Sequence, residues 1–157
     1  MKVGLISGSG DLPHSVVEGT VQGGHEIVVA ALDGFADPAA FLVNAKAFGL
    51  VEFGGIIKFF KKQKCTHVCL AGYVERPDFK NLKPDLKGLK HLPGAIMAAK
   101  DGDDSLMRYI LETFEKEGFT IISPPELCQS LLLPSGNLGT HSLSQEHRDD
   151  AEKACKT

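Results

Sequence analysis

Apolar residues along the chain follow two alternating patterns: short unbroken runs, and longer stretches in which they recur every three or four positions. Unbroken runs suit strands buried on both faces, and the three-to-four spacing suits one face of a helix. Residues 3–7 form the first run, which ends at Gly8-Ser9-Gly10. Residues 12–22 read as a helix with Val16, Val17 and Val21 turned inward and Gly23-Gly24 as its stop. A second run, rich in Val and Ile, covers 26–32 and leads into a loop over 33–38. A short third strand is expected within 45–52. Gly54-Gly55 opens a helix that buries Ile56, Ile57, Phe59 and Phe60 and exposes Lys58, Lys61 and Lys62, and residues 66–71 form a further buried run.

The stretch 72–94 holds three prolines and reads as a long loop with a helical turn, a length that compact domains tend to keep for function. A helix over 103–117 follows, with Leu106, Ile110 and Phe114 as a stripe widened by Met107 and Leu111. Asp101 or Asp103 would cap it, and Gly118 suits a left-handed stop. Residues 119–123 read as a last strand, and Pro124-Pro125 as the start of a short helix reaching 133. Beyond Pro134 the chain turns polar. Ser142-Leu143-Ser144-Gln145 has the form of a capping box ahead of a final helix with little to bury. Strands alternating with helices give the fold class: α/β, three layers, with a mainly parallel sheet.

Composition narrows the function classes. A length of 157 residues suits one domain, burying roughly two-thirds of the surface its unfolded chain would expose. With 43% hydrophobic residues and a net charge of -3, disorder is excluded. The longest strand-like apolar run, 27–32, has six residues, against the ~20 that a membrane span needs. Met1-Lys2-Val3-Gly4 enters a strand directly, without the build-up of a signal peptide, so a cytoplasmic chain is expected. The four cysteines include no Cys-x-x-Cys pair and no histidine at finger spacing. They are therefore expected as reduced, buried thiols and not as zinc ligands.

The charge is uneven. From Lys58 to Lys90 there are nine basic residues and three acidic ones, a local +6 that leaves -9 for the remainder. Such a field suits an anionic partner, though a solvated helix face followed by a basic loop would look the same. Stacking aromatics are scarce there and no nucleic-acid motif is present, so nucleic acid is not expected as a partner.

Three places could carry chemistry. Gly8-Ser9-Gly10-Asp11-Leu12 joins a strand to a helix, where backbone amides and the helix dipole stabilise an anion. The dinucleotide fingerprint would have a third glycine where Pro13 stands, although Asp33 could serve as its acidic residue. A phosphate or nucleotide site, an NAD(P) site and a purely structural turn all remain open. The second place is Gly72-Tyr73-Val74-Glu75-Arg76, leaving a strand expected to lie beside the first. Arg76 could fork onto a phosphate, with Lys80 and Lys83 as softer charges, or all three could be plain surface charges. The third is Asp101-Gly102-Asp103-Asp104, which could hold Mg²⁺ beside substrate phosphates or simply cap a helix.

Taken together, residues 4–13, Leu70-Ala71-Gly72-Tyr73-Val74-Glu75-Arg76-Pro77, Leu82-Lys83-Pro84-Asp85-Leu86 and Asp101-Gly102-Asp103-Asp104 resemble one bacterial family. It is the UDP-2,3-diacylglucosamine pyrophosphatase family of lipid A biosynthesis, in its LpxI form, unrelated to calcineurin-like phosphoesterases. Residues 117–136, Thr140-His141-Ser142 and Asp149-Asp150 fit as well.

The resemblance implies a Rossmann-like N-terminal substrate-binding domain over 1–136. Residues 137–157 would then be a linker and the start of a C-terminal catalytic domain, with the substrate lying between the two. It implies hydrolysis of the lipid-linked sugar nucleotide to UMP and 2,3-diacylglucosamine 1-phosphate with a divalent metal, Mg²⁺, and a catalytic aspartate beyond residue 157. The substrate-binding residues expected on this chain are Gly8, Ser9, Gly10, Asp11, Leu12, Gly72, Tyr73, Val74, Arg76, Lys80 and Asp103. The place of work would be the cytoplasmic face of the inner membrane, with peripheral attachment to its anionic surface. Residues 1–157 alone are expected to be inactive. Self-association through Leu131-Leu132-Leu133 is a further expectation. An NAD(P)-dependent oxidoreductase module and a non-catalytic nucleotide- or partner-binding domain stand as alternatives.

Overall fold

The runs read as strands do pair, and all in one direction. Lys2–Ser7 (β1), Glu26–Leu32 (β2), Ala45–Phe48 (β3), His67–Ala71 (β4) and Thr120–Ile121 (β5) form a five-stranded parallel sheet in the order β3-β2-β1-β4-β5. Helices among the described residues include Leu12–Gln22 (α1), Phe53–Lys62 (α2), Asp103–Lys116 (α3), Pro124–Leu127 (α4) and Gln145–Ala154 (α5). The computed structural model describes residues 1–75, 93–95, 97–98, 100, 102–133, 139 and 143–155. The boundary expected at 136–137 lies outside them.

Alternation along β1 sorts the core into two layers. Val3 and Leu5, fully buried, face α1 with Val16, Val17 and Leu127. Ile6 faces α2 and α3 on the other side, among Ile56, Ile57, Phe60, Val68, Phe114 and Phe119. Gly4 shares that second face, and a Cβ there would stand 2.7 Å from the Phe60 ring. The missing side chain is what lets Phe60, 0% exposed, lie flat on the central strand.

Several local expectations are corrected. On α1 the buried face is Pro13, Val16, Val17 and Thr20, while Val21 is 52% exposed. Thr20 is tolerated inside because its hydroxyl donates to the Val16 carbonyl, 2.6 Å away. The short strand expected within 45–52 is present as β3; it stops at Phe48 because the Gly49 amide turns onto the Glu52 carboxylate at 2.8 Å, and the Glu52 amide bonds back to the Gly49 carbonyl. β5 has two residues where five were expected, and α4 ends at Leu127 with a 3-10 turn over Gln129–Leu131 after it. Ser123 and Glu126 close a capping box that starts α4 at Pro124, where it was expected.

The residue flanking the start of α3 is Gly102, at φ +123, with Asp103 as the first helical residue. Asp101 lies outside the described residues. At α5 the cap is Ser144, whose hydroxyl accepts from the His147 amide, in place of a box starting at Ser142, which is not described. Gly118 does take the left-handed conformation expected of it, with φ +94. Cys65, Cys69 and Cys128 are buried, but Cys155 is exposed.

Candidate functional site at the strand-order reversal

Sheet order reverses between β1 and β4: the chain runs outward to β2 and β3 on one side, then to β4 and β5 on the other. Loops leaving neighbouring strands diverge at such a point and leave a crevice above their carboxyl ends. Gly8–Leu12 and Gly72–Glu75 are the two loops here, because β4 pairs directly with β1 through Ser7 and Ala71.

The loops are zipped together before they part. Gly8 donates its amide to the Ala71 carbonyl at 2.9 Å, Ser9 to the Tyr73 carbonyl at 2.8 Å, and Tyr73 returns one to Ser9 at 2.9 Å. The Ser9 hydroxyl adds a bond to the Tyr73 carbonyl at 3.0 Å. This antiparallel bridge explains two of the glycines. A Cβ on Gly8 would stand 2.5 Å from the Tyr73 carbonyl oxygen, and one on Gly72, at φ +95, would stand 2.7 Å from the Gly8 carbonyl carbon. Both are needed for the two backbones to touch. Gly10, at φ +96, has open space where a Cβ would be.

The donors left for an anion follow from this. The Gly8 and Ser9 amides are spent on the Ala71 and Tyr73 carbonyls, and Pro13 has none to give. The amides of Gly10, Asp11 and Leu12 find no acceptor among the described residues. Asp11 flanks α1 but its side chain makes no capping bond, so the positive end of that helix dipole is not neutralised by a cap.

Beside this loop opens a cavity of about 770 Å³, within the ~300–1,000 Å³ typical of small-molecule sites. Its mouth is marked by exposed apolar bodies: Leu12 at 39%, Tyr73 at 69% and Met107 at 47% exposure. Ile6, Leu32, Phe53 and Ile56, all buried, form the deep side. The α3 stripe of Leu106, Ile110 and Leu111, half-buried, makes one wall, and Ile121 and Ile122 make another. Glu75 and Ser123 are the polar side chains on the described rim besides the Tyr73 hydroxyl.

Of the expected site residues, Gly8, Leu12, Gly72, Tyr73 and Val74 line this cavity. Ser9 locks the loops, and Gly10 and Asp11 stand exposed next to Leu12. Arg76, Lys80 and the Asp103 side chain lie outside the described residues, as does most of the basic segment. The α3 stripe has the expected period: Phe114 lies in the core and Ile110 packs against it, while Leu106, Ile110 and Leu111 also face the cavity. Periodicity cannot tell the two apart, since both demand apolar side chains. Among the described residues no group of three or more His, Cys, Asp or Glu side chains could hold a metal ion. Asp104 is drawn to Arg108 at 2.9 Å in solvent; Asp101 and the Asp103 side chain lie outside the described residues.

A family model described as LpxI N-terminal domain matches residues 2–131. The chain belongs to the LpxI N-terminal domain family. A curated relative, UDP-2,3-diacylglucosamine pyrophosphatase LpxI of Caulobacter vibrioides, is 44% identical over 153 residues, which is 98% of this chain and 55% of that protein. The chain therefore spans about half the length of the curated relative it matches. Among solved structures, UDP-glucose 4-epimerase of Thermus thermophilus in complex with NAD is similar at 19% identity and a TM-score of 0.43, over 71% of this chain and 34% of that one. The LpxI N-terminal domain match ends at Leu131, where α4 and its following 3-10 turn close the described sheet domain. No helix among the described residues is long and apolar enough to cross a membrane.

Proposed function

We propose that this LpxI N-terminal domain is the substrate-binding part of a UDP-2,3-diacylglucosamine pyrophosphatase, a hydrolase of lipid A biosynthesis. The observation that carries the reading is an apolar cavity opening beside uncapped helix amides at the strand-order reversal. A lipid-linked sugar nucleotide has both parts: hydrocarbon for the cavity and a charged diphosphate for the amides. The 44% identity to a pyrophosphatase of that name supports the substrate class. In the reaction, water adds at one phosphorus and the anhydride P–O bond breaks, giving UMP and 2,3-diacylglucosamine 1-phosphate. No residue of this chain is assigned to the reacting atoms. Catalysis is assigned to the part of the relative that this chain does not span.

Gly8, Ser9 and Gly72 shape the loops; Gly10, Asp11 and Leu12 meet the polar part of the substrate; Tyr73 and Val74 border its lipid. Arg76, Lys80 and Asp103 belong to the same proposal as anionic-group contacts, on the family resemblance alone. So do Mg²⁺, peripheral attachment to an anionic membrane surface and a cytoplasmic location. No step is routed through the metal.

Calorimetric titration of residues 1–157 with UDP-2,3-diacylglucosamine tests the reading. Saturable binding is expected, with no UMP released. A flat titration would overturn substrate binding, and metal-dependent UMP release by residues 1–157 would overturn the division of labour. Titration with NADH is expected to leave the melting temperature unchanged, because Pro13 stands where the dinucleotide fingerprint needs its third glycine.

A further inference from the structure

We propose that Lys46, Lys58 and Lys62, grouped around the half-buried Phe59 ring, form a docking face for an anionic lipid bilayer. The face rests on the proposed function for its purpose, a substrate drawn from a membrane, and on the charge pattern for its place. Residues 53–74 contain four lysines and no Asp or Glu. On α2, Gly55, Lys58, Phe59 and Lys62 share one stripe by their three- and four-residue spacing, and Lys58, Lys61, Lys62 and Lys64 are all exposed. The β3 edge adds Lys46, whose Nζ stands 5.2 Å from the centre of the Phe48 ring. Phe48 and Phe59 lie 5.5 Å apart between ring centroids, so Lys46 adjoins the stripe.

A lysine run on a helix is ordinarily a solvated face, and such faces are laced with acids. α3 follows that rule: Asp104 pairs with Arg108 at 2.9 Å and Glu112 with Lys116 at 3.1 Å, each four residues apart. α2 departs from it. Lys61 has Glu117 at 2.6 Å, but Lys58 and Lys62 repel each other at that same spacing. Neither meets a carboxylate among the described residues. Glu52, just before α2, is held by the Gly49 amide at 2.8 Å. α1, on the opposite face of the sheet, has Glu18 and no lysine or arginine, so the two helices present opposite charge on the two sides.

Anionic headgroups attract such a cluster, and Phe59 supplies the apolar body that settles at a lipid interface. α2 spans ten residues, about 15 Å. Its inward Phe53 and Ile56 line the substrate cavity, so one short helix carries the docking face outside and a cavity wall inside.

Flotation of residues 1–157 with vesicles tests the face, using equal parts of phosphatidylcholine and phosphatidylglycerol, against phosphatidylcholine alone. Binding is expected with the first and not the second, and it should weaken as salt screens the charges. Lys58→Gln with Lys62→Gln should lower affinity about fivefold per lysine, about 25-fold together. Lys116→Gln with Lys153→Gln removes the same charge elsewhere and should change little. Equal weakening by both pairs, no binding to either vesicle, or equal binding to the two would overturn the docking face. So would binding of soluble polyglutamate without binding of vesicles, which would assign the lysines to an acidic protein partner.

The two readings fail separately. Charge-dependent vesicle binding beside a flat titration with UDP-2,3-diacylglucosamine would keep the docking face and remove the proposed function. Saturable substrate binding without vesicle binding would keep substrate binding and remove the docking face.

Discussion

Gly4 and Phe60 form a complementary pair whose coupling can be measured. Phe60 is fully buried on α2, with the Phe119 ring edge-on at 6.3 Å and Phe59 at 5.7 Å. Phe60→Ala deletes a ring from the centre of that layer, a change that costs about 3–5 kcal/mol. Against a typical domain stability of ~5–15 kcal/mol, that is a large share. Gly4→Ala puts a methyl carbon at 2.7, 2.7 and 2.8 Å from three ring atoms of Phe60. A ring with no exposed surface has nowhere to retreat, so overpacking should cost roughly 1–3 kcal/mol.

In the Phe60→Ala background the same methyl enters the space the ring vacated. It then fills part of a cavity and also removes the backbone entropy cost of a strand glycine, about 0.5–1 kcal/mol. The double variant should therefore be more stable than the sum of the single effects by at least ~1 kcal/mol. Urea denaturation followed by far-UV circular dichroism, with m-values compared across the four proteins, reads out the cycle. Additivity within ~0.5 kcal/mol, the range expected of independent sites, would refute the claim that Gly4 is glycine because of Phe60.

Other outcomes follow from the same structure. Gly72→Ala forces a side chain onto a backbone at φ +95 and into the Gly8 carbonyl, so it should destabilise the fold by ~1–3 kcal/mol and weaken substrate binding; unchanged urea midpoint and affinity would contradict this. Burial pushes the Cys65 thiol up to about 11 and the Cys69 thiol up to about 12, and Cys128 is buried too. At pH 8 a maleimide should therefore modify Cys155 quickly and the other three only after denaturation, as read by mass spectrometry.

The Ser123 hydroxyl and amide hold the Glu126 carboxyl below its ordinary range. A depressed folded value means that the stabilisation is present at neutral pH and is lost as pH falls through it. Glu126→Gln should thus narrow the gap to the parent in acid, seen in melting temperatures between pH 7 and 3; a gap that widens in acid would reverse the sign.

The regular elements were legible because their causes are local. Residues 12–22 and 26–32 were read with the bounds that the structure gives them, since glycine punctuation and an unbroken apolar run leave one reading. Local signals also misled where two residues could play one part. Val21 and Thr20 both adjoin the buried stripe of α1, and the threonine goes inside only because helix geometry offers it the Val16 carbonyl. At the start of α3, Asp103 had the right chemistry for a cap, but Gly102 takes the flanking position.

By itself the sequence determined the α/β class, the parallel sheet, the strand expected beside β1 and the family. Those depend on period, punctuation and motif, all carried in the order of residues. Tertiary structure decided what the glycine loop is for. Gly8-Ser9-Gly10 alone left a phosphate site and a structural turn both open, but an amide has one hydrogen to give, and the Ala71 and Tyr73 carbonyls take those of Gly8 and Ser9. It also set Leu106, Ile110 and Leu111 of α3 against a cavity while Phe114 stayed in the core. An apolar face says only that water is to be excluded; whether protein or a ligand excludes it depends on how far apart the elements are held.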